Sequence, residues 1–286
     1  MKNIITVFAL VLSMVSADAQ QLTKTCEASG LEGPESAVKY NDHYFVSNVN
    51  GQPAEKNGLG YITKLDNEGK IVSQKWATGF NAPKGLAIYE SKLYVADIDV
   101  VYVVDLNSGK IIKKYAAEGA TFLNDVVISS KGTVYISDTF GGNAIYKIEN
   151  ESISLWLKDE ALNYPNGLLI KGNQLFVASW GVVTDPATFG TDVPGKLLSV
   201  SLKNKEIEDV TSATGNLDGL VQLKGGNYLV SDWIAGGLMT ITKKGEVKEL
   251  LNLKPGSADL TLVAKENILL VPQMLDGTLV AYKLEY

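Results

Sequence analysis

Polar and apolar positions alternate along most of the chain with a period of two, in short runs broken by turn residues. Six segments share one plan: "SAVKYNDHYFVSN", "GLAIYESKLYVAD", "DVVISSKGTVYISD", "GLLIKGNQLFVAS", "GLVQLKGGNYLVSD" and "LTLVAKENILLVP". Each reads as an apolar strand, a polar turn, and a second strand rich in β-branched and aromatic residues that closes on a small or acidic residue. A loop and a third strand follow, as in "VVYVVDL", "NAIYKIE" and "GLMTITK", and most units add a weaker fourth, as in "KIIKKYA". Beyond the first residues, no stretch of useful length carries a helical period.

Aligned at the start of their first strands, the units begin at Glu35, Lys84, Asn124, Asn166, Asp218 and Asp259, spaced 49, 40, 42, 52 and 41 residues apart. A repeat of four strands at about 40 residues is the signature of a β-propeller blade. The chain is therefore expected to be all-β, a six-bladed propeller. The sixth unit has only three strands before Tyr286, and "QLTKTCEA" ahead of the first unit supplies its fourth, closing the ring and protecting an open sheet edge. The two long intervals contain insertions, "NVNGQPAEKNGLG" in blade 1 and "WGVVTDPATFGTDVPG" in blade 4. Both are placed between second and third strands, on the face where the inner strands begin.

The first residues follow another rule. Lys2, the apolar run from Ile4 to Val15 and the small residues Ala17 and Ala19 read as a secretory signal peptide of residues 1–19. The expected product is a single domain of residues 20–286, secreted or periplasmic, soluble and monomeric, with no membrane contact once the signal is cleaved. Net charge is -6 without any basic block, which excludes nucleic acid and anionic membranes as partners and leaves a small molecule. Cys26 is the only cysteine, so an oxidising compartment brings no disulfide within the chain and no thiolate cluster; it reads as a small buried hydrophobe.

The residues that begin the inner strands form a ring at one end of the central channel. Three of them are acidic, two are amides and one is Lys84. Converging carboxylates and amides are unfavourable in a dry site unless something satisfies them. A hard divalent cation does so, and calcium takes oxygens from Asp, Glu, Asn and water. The set has no His or Cys, which argues against zinc and copper. A channel plugged by polar side chains and water is the alternative. The mouth is expected after the second strands, at Asn48, Asp97, Asp138, Trp180, Trp233 and Gln273. Trp180 and Trp233 stand at matching places in blades 4 and 5, either stacking on substrate or packing between blades. His43 falls in the turn at the opposite end of the channel. Asp125, next to Asn124, is expected to point to the other side of its strand, in a structural role with neighbouring loops or, as the alternative, joining a second metal.

The pieces "PESAV", "LNDV", "YPNGLL" and "LDGL" resemble the senescence marker protein, gluconolactonase and luciferin-regenerating enzyme superfamily over essentially the whole mature chain. The resemblance implies a catalytic calcium or other divalent ion held by Glu35, Asn166 and Asp218, with Asn124 completing the shell or holding substrate. The related diisopropyl fluorophosphatases and paraoxonases use a similar Glu-Asn-Asn-Asp set, which favours Asn124 as a fourth ligand. Lys84 and Asp259 lie outside that pattern. They are expected to form an ion pair across the ring, or Lys84 to hold a substrate carboxylate or phosphate.

The implied activity is metal-dependent hydrolysis of lactones or related esters. Asp218, or Asp259 beside it, would accept a proton or attack directly, while Lys84, Asn124, Trp180 and Trp233 contact substrate. The alternative is a non-catalytic extracellular propeller that binds a sugar or a partner protein.

Overall fold

The computed structural model describes residues 21–185 and 187–286; the signal peptide expected at residues 1–19 lies outside them. The described chain forms six four-stranded antiparallel sheets and one small hairpin. The inner strands are Pro34–Tyr40, Pro83–Tyr89, Leu123–Ile128, Pro165–Lys171, Leu217–Gln222 and Thr261–Val263. Each packs against the next and the sixth returns to the first, which closes a six-bladed β-propeller.

Blade 6 is completed from the other end of the chain. Gln21–Ser29 pairs antiparallel with the last strand, Thr278–Glu285, so the ring is fastened by backbone hydrogen bonds between distant segments. Cys26 lies on this closing strand, half-buried against the cluster between blades 6 and 1. Among the described residues, the core divides into seven apolar clusters: one at each of the six blade interfaces, and a small one of Val49, Ala82 and Ile98 in the loops beside the inner strands. Blades 2 and 3 meet through Val101, Val103, Ile136 and Tyr146; blades 4 and 5 meet through Leu197, Leu220 and Val230. The blades thus bury their two faces against each other. This explains why both strand faces carry Val, Ile and Leu near the middle of a blade.

The channel end that carries the ring has a repeated irregularity. In blades 1 to 5 the pairing of inner and second strands slips by one residue at the same place: between Pro34 and Ala37, Pro83 and Leu86, Leu123 and Val126, Pro165 and Leu168, and Leu217 and Leu220. Each slip is a β-bulge, which breaks strict alternation and re-aims side chains. The residue inside each bulge is a ring residue followed by one that faces the neighbouring inner strand.

Where that follower is glycine, space decides. A Cβ at Gly167 would strike the Asp218 carbonyl, and one at Gly219 would strike the Leu260 backbone nitrogen. In blades 1, 3 and 5 the extra backbone N–H of the bulge is met by a serine of the second strand. Ser36, Asp125 and Gly219 donate to Ser47, Ser137 and Ser231 at 2.9, 2.9 and 2.8 Å.

Both insertions lie where the sequence puts them. Residues 49–59 bridge His43–Asn48 and Gly60–Asp66 in blade 1. In blade 4 the insertion folds into a hairpin of Gly181–Asp185 and Gly190–Pro194.

Candidate metal centre and pocket

All six ring residues are buried. Glu35, Lys84, Asn124, Asn166 and Asp218 form part of the lining of one cavity of about 450 Å³, roofed by Gly51, Gln52 and Pro53 from the blade 1 insertion and by Ala187, Thr188 and Phe189 from the blade 4 hairpin. Asp259, the sixth, does not line it. Its Oδ2 accepts a 2.5 Å hydrogen bond from the Ser36 hydroxyl, and its backbone N–H donates to the Glu35 carbonyl, so it ties blade 6 to blade 1 below the cavity floor.

Among the described residues, six buried side-chain polar atoms have no hydrogen-bond partner, and five of them belong to just four residues: Glu35 Oε2, Asn124 Oδ1, Asn166 Oδ1 and Nδ2, and Asp218 Oδ1. Buried polar atoms are nearly always paired, so such a concentration calls for a ligand. The orphaned oxygens come from four different blades and meet at one cavity. Asn124 shows how one is oriented. Its amide nitrogen donates to the Thr139 hydroxyl at 3.2 Å, and that hydroxyl donates to the Pro165 carbonyl at 2.7 Å, which leaves Oδ1 without a partner of its own.

Among the described residues no group of three or more His, Cys, Asp or Glu is arranged to hold a metal. The set of two carboxylates and two carboxamides suits a hard, oxygen-seeking cation such as calcium and not a nitrogen- or sulfur-seeking one.

The electrostatics agree. Burial, reinforced by neighbouring carboxylates, holds the Glu35 and Asp218 carboxyls well above the usual carboxylate range. Burial also raises Asp259 to about 6 and lowers Lys84 to about 8. The protein alone therefore disfavours the charges it has gathered, and a cation at the ring would favour them.

Several expectations need correction. Lys84 and Asp259 do not pair. The Lys84 ammonium donates to the Ala82 carbonyl at 3.1 Å and sits 4.4 Å from the centre of the Phe122 ring. Asp259 is engaged by Ser36 instead, because the bulge turns the follower residue along the ring. Asn48, Asp97, Asp138 and Gln273 do not form the mouth; they are buried and hold backbone. Asp97 accepts from the N–H groups of Asn81 and Ala82 at 2.7 and 2.8 Å, and Asp138 from Phe122 at 2.7 Å. The acidic endings of "LYVAD" and "VYISD" are thus clamps on the loop that enters the same blade's inner strand.

Asp125 is structural, as expected, but by a different route. It accepts from Val126 and from Leu168 of the next blade, both at 2.6 Å. His43 opens the second strand of blade 1 at the far end of the channel, opposite Tyr40.

Trp180 and Trp233 both line the cavity, with ring centres 5.8 Å apart. The Trp180 indole N–H donates to the Phe189 carbonyl at 2.9 Å, which pins the hairpin over the pocket. They also belong to an aromatic wall that sequence reasoning missed. Phe140 contacts Phe122, Trp180 and Phe189 edge-on or tilted at centre distances of 4.8, 5.3 and 4.9 Å. Phe122 and Phe140 sit in loops at the top of blade 3, where no period marks them. The one available signal was their place beside "LNDV" and "SDT".

No protein-family model matches the chain, and no curated protein sequence matches it. Solved structures do. A gluconolactonase of Xanthomonas campestris aligns with a TM-score of 0.64 at 14% identity, covering 93% of this chain and 89% of that one. A calcium-binding regucalcin of Agrobacterium tumefaciens aligns at 0.61 and 17%, covering 91% and 92%. Virginiamycin B lyase from Staphylococcus aureus aligns at 0.61 and 12%, covering 93% and 100%. The neighbours thus include gluconolactonase and regucalcin propellers. At these identities the likeness shows the fold, which also carries a lyase.

Proposed function

We propose that this protein is a calcium-dependent hydrolase of lactones or related esters. The observation that carries the reading is the set of orphaned oxygens of Glu35, Asn124, Asn166 and Asp218 on the floor of a 450 Å³ cavity. These four side chains would hold the ion. Calcium bound there supplies Lewis acidity, polarising a carbonyl or phosphoryl oxygen and making water more acidic.

The protein's own groups do the rest. Asp218 takes a proton from the attacking water; Asp259 is the weaker choice, since it is engaged by Ser36 and does not line the cavity. Thr139 fixes Asn124, so that the amide presents oxygen and not nitrogen. Trp180, Trp233 and Phe140 give an apolar wall against which the substrate body packs, and the blade 4 hairpin limits water above it. The gluconolactonase and regucalcin neighbours support the reading by fold. The rival, a binding propeller with a structural ion, predicts a site sealed by protein, whereas this ring opens into a cavity.

A panel of sugar lactones and acyl lactones is to be assayed with calcium-loaded and chelated protein. We expect turnover that chelation removes and that Asp218→Asn lowers by at least about a hundredfold, the lower range for loss of a general base. Unchanged hydrolysis by Asp218→Asn would refute the assignment. A secreted or periplasmic location belongs to the same proposal and is read by fractionating the native host.

A further inference from the structure

The cavity has one charged group that the hydrolytic reading leaves idle. Lys84 is buried at 2% exposure, yet among the described residues it makes no ion pair. Of its three ammonium hydrogens, one has an acceptor, the Ala82 carbonyl at 3.1 Å. Below it lies the face of Phe122. Burying an ammonium with two donors unmet is strongly unfavourable unless a ligand meets them.

The charges that face the cavity sharpen the point. Glu35, Lys84 and Asp218 are its only charged lining residues among those described. A dication at the ring balances the two carboxylates. Asp125 and Asp259 lie outside the lining and already accept hydrogen bonds from Leu168 and Ser36. Asp97 and Asp138, buried outside the lining, attract the Lys84 ammonium from a distance, but among the described residues neither forms an ion pair with it, so two of its N–H groups stay without an acceptor beside a pocket walled by Phe122, Phe140, Trp180 and Trp233.

From this we infer that Lys84 is an anion subsite, and that the substrate is a monoanion whose carboxylate or phosphate sits on the Lys84 ammonium while its apolar body packs on the aromatic wall. The inference rests on the metal-site reading and narrows its substrate class. Neutral lactones would turn over more slowly than anionic esters of similar size, and the ester bond would lie within reach of both the ring and Lys84.

The test needs no turnover. Benzoate, phenyl phosphate and benzyl alcohol share one aromatic body and differ in charge. Their binding to calcium-loaded protein is measured by isothermal titration calorimetry. At least one anion is expected to bind about tenfold or more tightly than benzyl alcohol, the scale of one charge-assisted hydrogen bond. Which anion wins tells a carboxylate subsite from a phosphate one. Lys84→Met should erase the preference and Lys84→Arg should retain much of it.

Calcium is titrated into the same samples. Lys84→Met should bind calcium as well as or better than wild type, because a like charge has gone. Calcium binding with equal affinity for anions and benzyl alcohol overturns the anion subsite alone. A wild-type protein that binds no calcium overturns the metal-site reading and the charge balance built on it. Because the calcium ion also attracts anions, the comparison needs a Lys84 variant, and Lys84→Gln takes the place of Lys84→Met should that protein fail to fold.

Discussion

Asn124 shows how much a single side chain's orientation depends on its neighbours. A carboxamide is a calcium ligand only through its oxygen, and which end faces the cavity is set by what holds the other end. Here that is Thr139, itself tied to the Pro165 carbonyl of the next blade. Thr139→Val removes the acceptor and frees the amide to rotate. Calcium affinity should fall by roughly tenfold, the low end for loss of a group that orients a metal ligand, with circular dichroism unchanged. Equal affinity in calorimetry would count against Asn124 as a ligand. Asp97 and Asp138 teach the converse. Buried acids beside a pocket are readily taken for site residues, yet backbone N–H groups occupy both oxygens of Asp97 and the Oδ1 of Asp138, whose Oδ2 has no partner.

Bulges and the closing strand act at the level of the element. The repeated bulge lets a ring residue face the cavity while the next residue reaches sideways: Ser36 to Asp259, Asp125 to Leu168. A regular strand would alternate these two residues across its faces and lose one of the functions. The closing strand Gln21–Ser29 has another task. It covers the edge of Thr278–Glu285 and brings Ala28 into the cluster between blades 6 and 1. A protein lacking residues 21–29 would expose that edge. Its melting temperature should drop by roughly 10 °C, taking about 4 kcal/mol of lost pairing and apolar contact at 2–4 °C per kcal/mol. It should also associate in size-exclusion chromatography. A monomer with an unaltered melt would show that the ring holds without this fastening.

Stability of the whole molecule is linked to the charge gathered at its centre. Asp259 is raised to about 6 by burial, and burial with neighbouring carboxylates also holds Glu35 and Asp218 well above the usual carboxylate range. For an acid whose folded pKa exceeds the unfolded one, stability is fully present below the unfolded value near 4 and is lost as pH rises through the folded value. Chelated protein should therefore lose stability between about pH 4 and 7, on the order of 3 kcal/mol from Asp259 alone. Calcium, which favours the ionised ring, should flatten that slope. Thermal melts across this range, with chelator and with calcium, read both limbs. A slope that calcium leaves unchanged would separate the cation from the ring. Lys84, lowered to about 8, has the opposite sign but keeps its charge over most of this window.

Period-two alternation and a repeat of about 40 residues determined the six blades, the closing strand and the two insertions, because each depends on local hydrophobic pattern and on counting. The same alignment brought Glu35, Asn124, Asn166 and Asp218 to one ring, since circular repetition carries equivalent positions to one place. Tertiary structure alone decided what each ring residue touches. Lys84 and Asp259 are aligned as well as the other four, yet one sits over Phe122 unpaired and the other is turned to Ser36. The aromatic wall comes from loops without a period, and the acids that clamp backbone look in sequence like acids that bind ligands. Hydrogen-bond partners come from the next strand or loop of the same blade, as Thr139 does for Asn124, or from another blade, as Asp259 does for Ser36, and a pattern read along one strand contains neither.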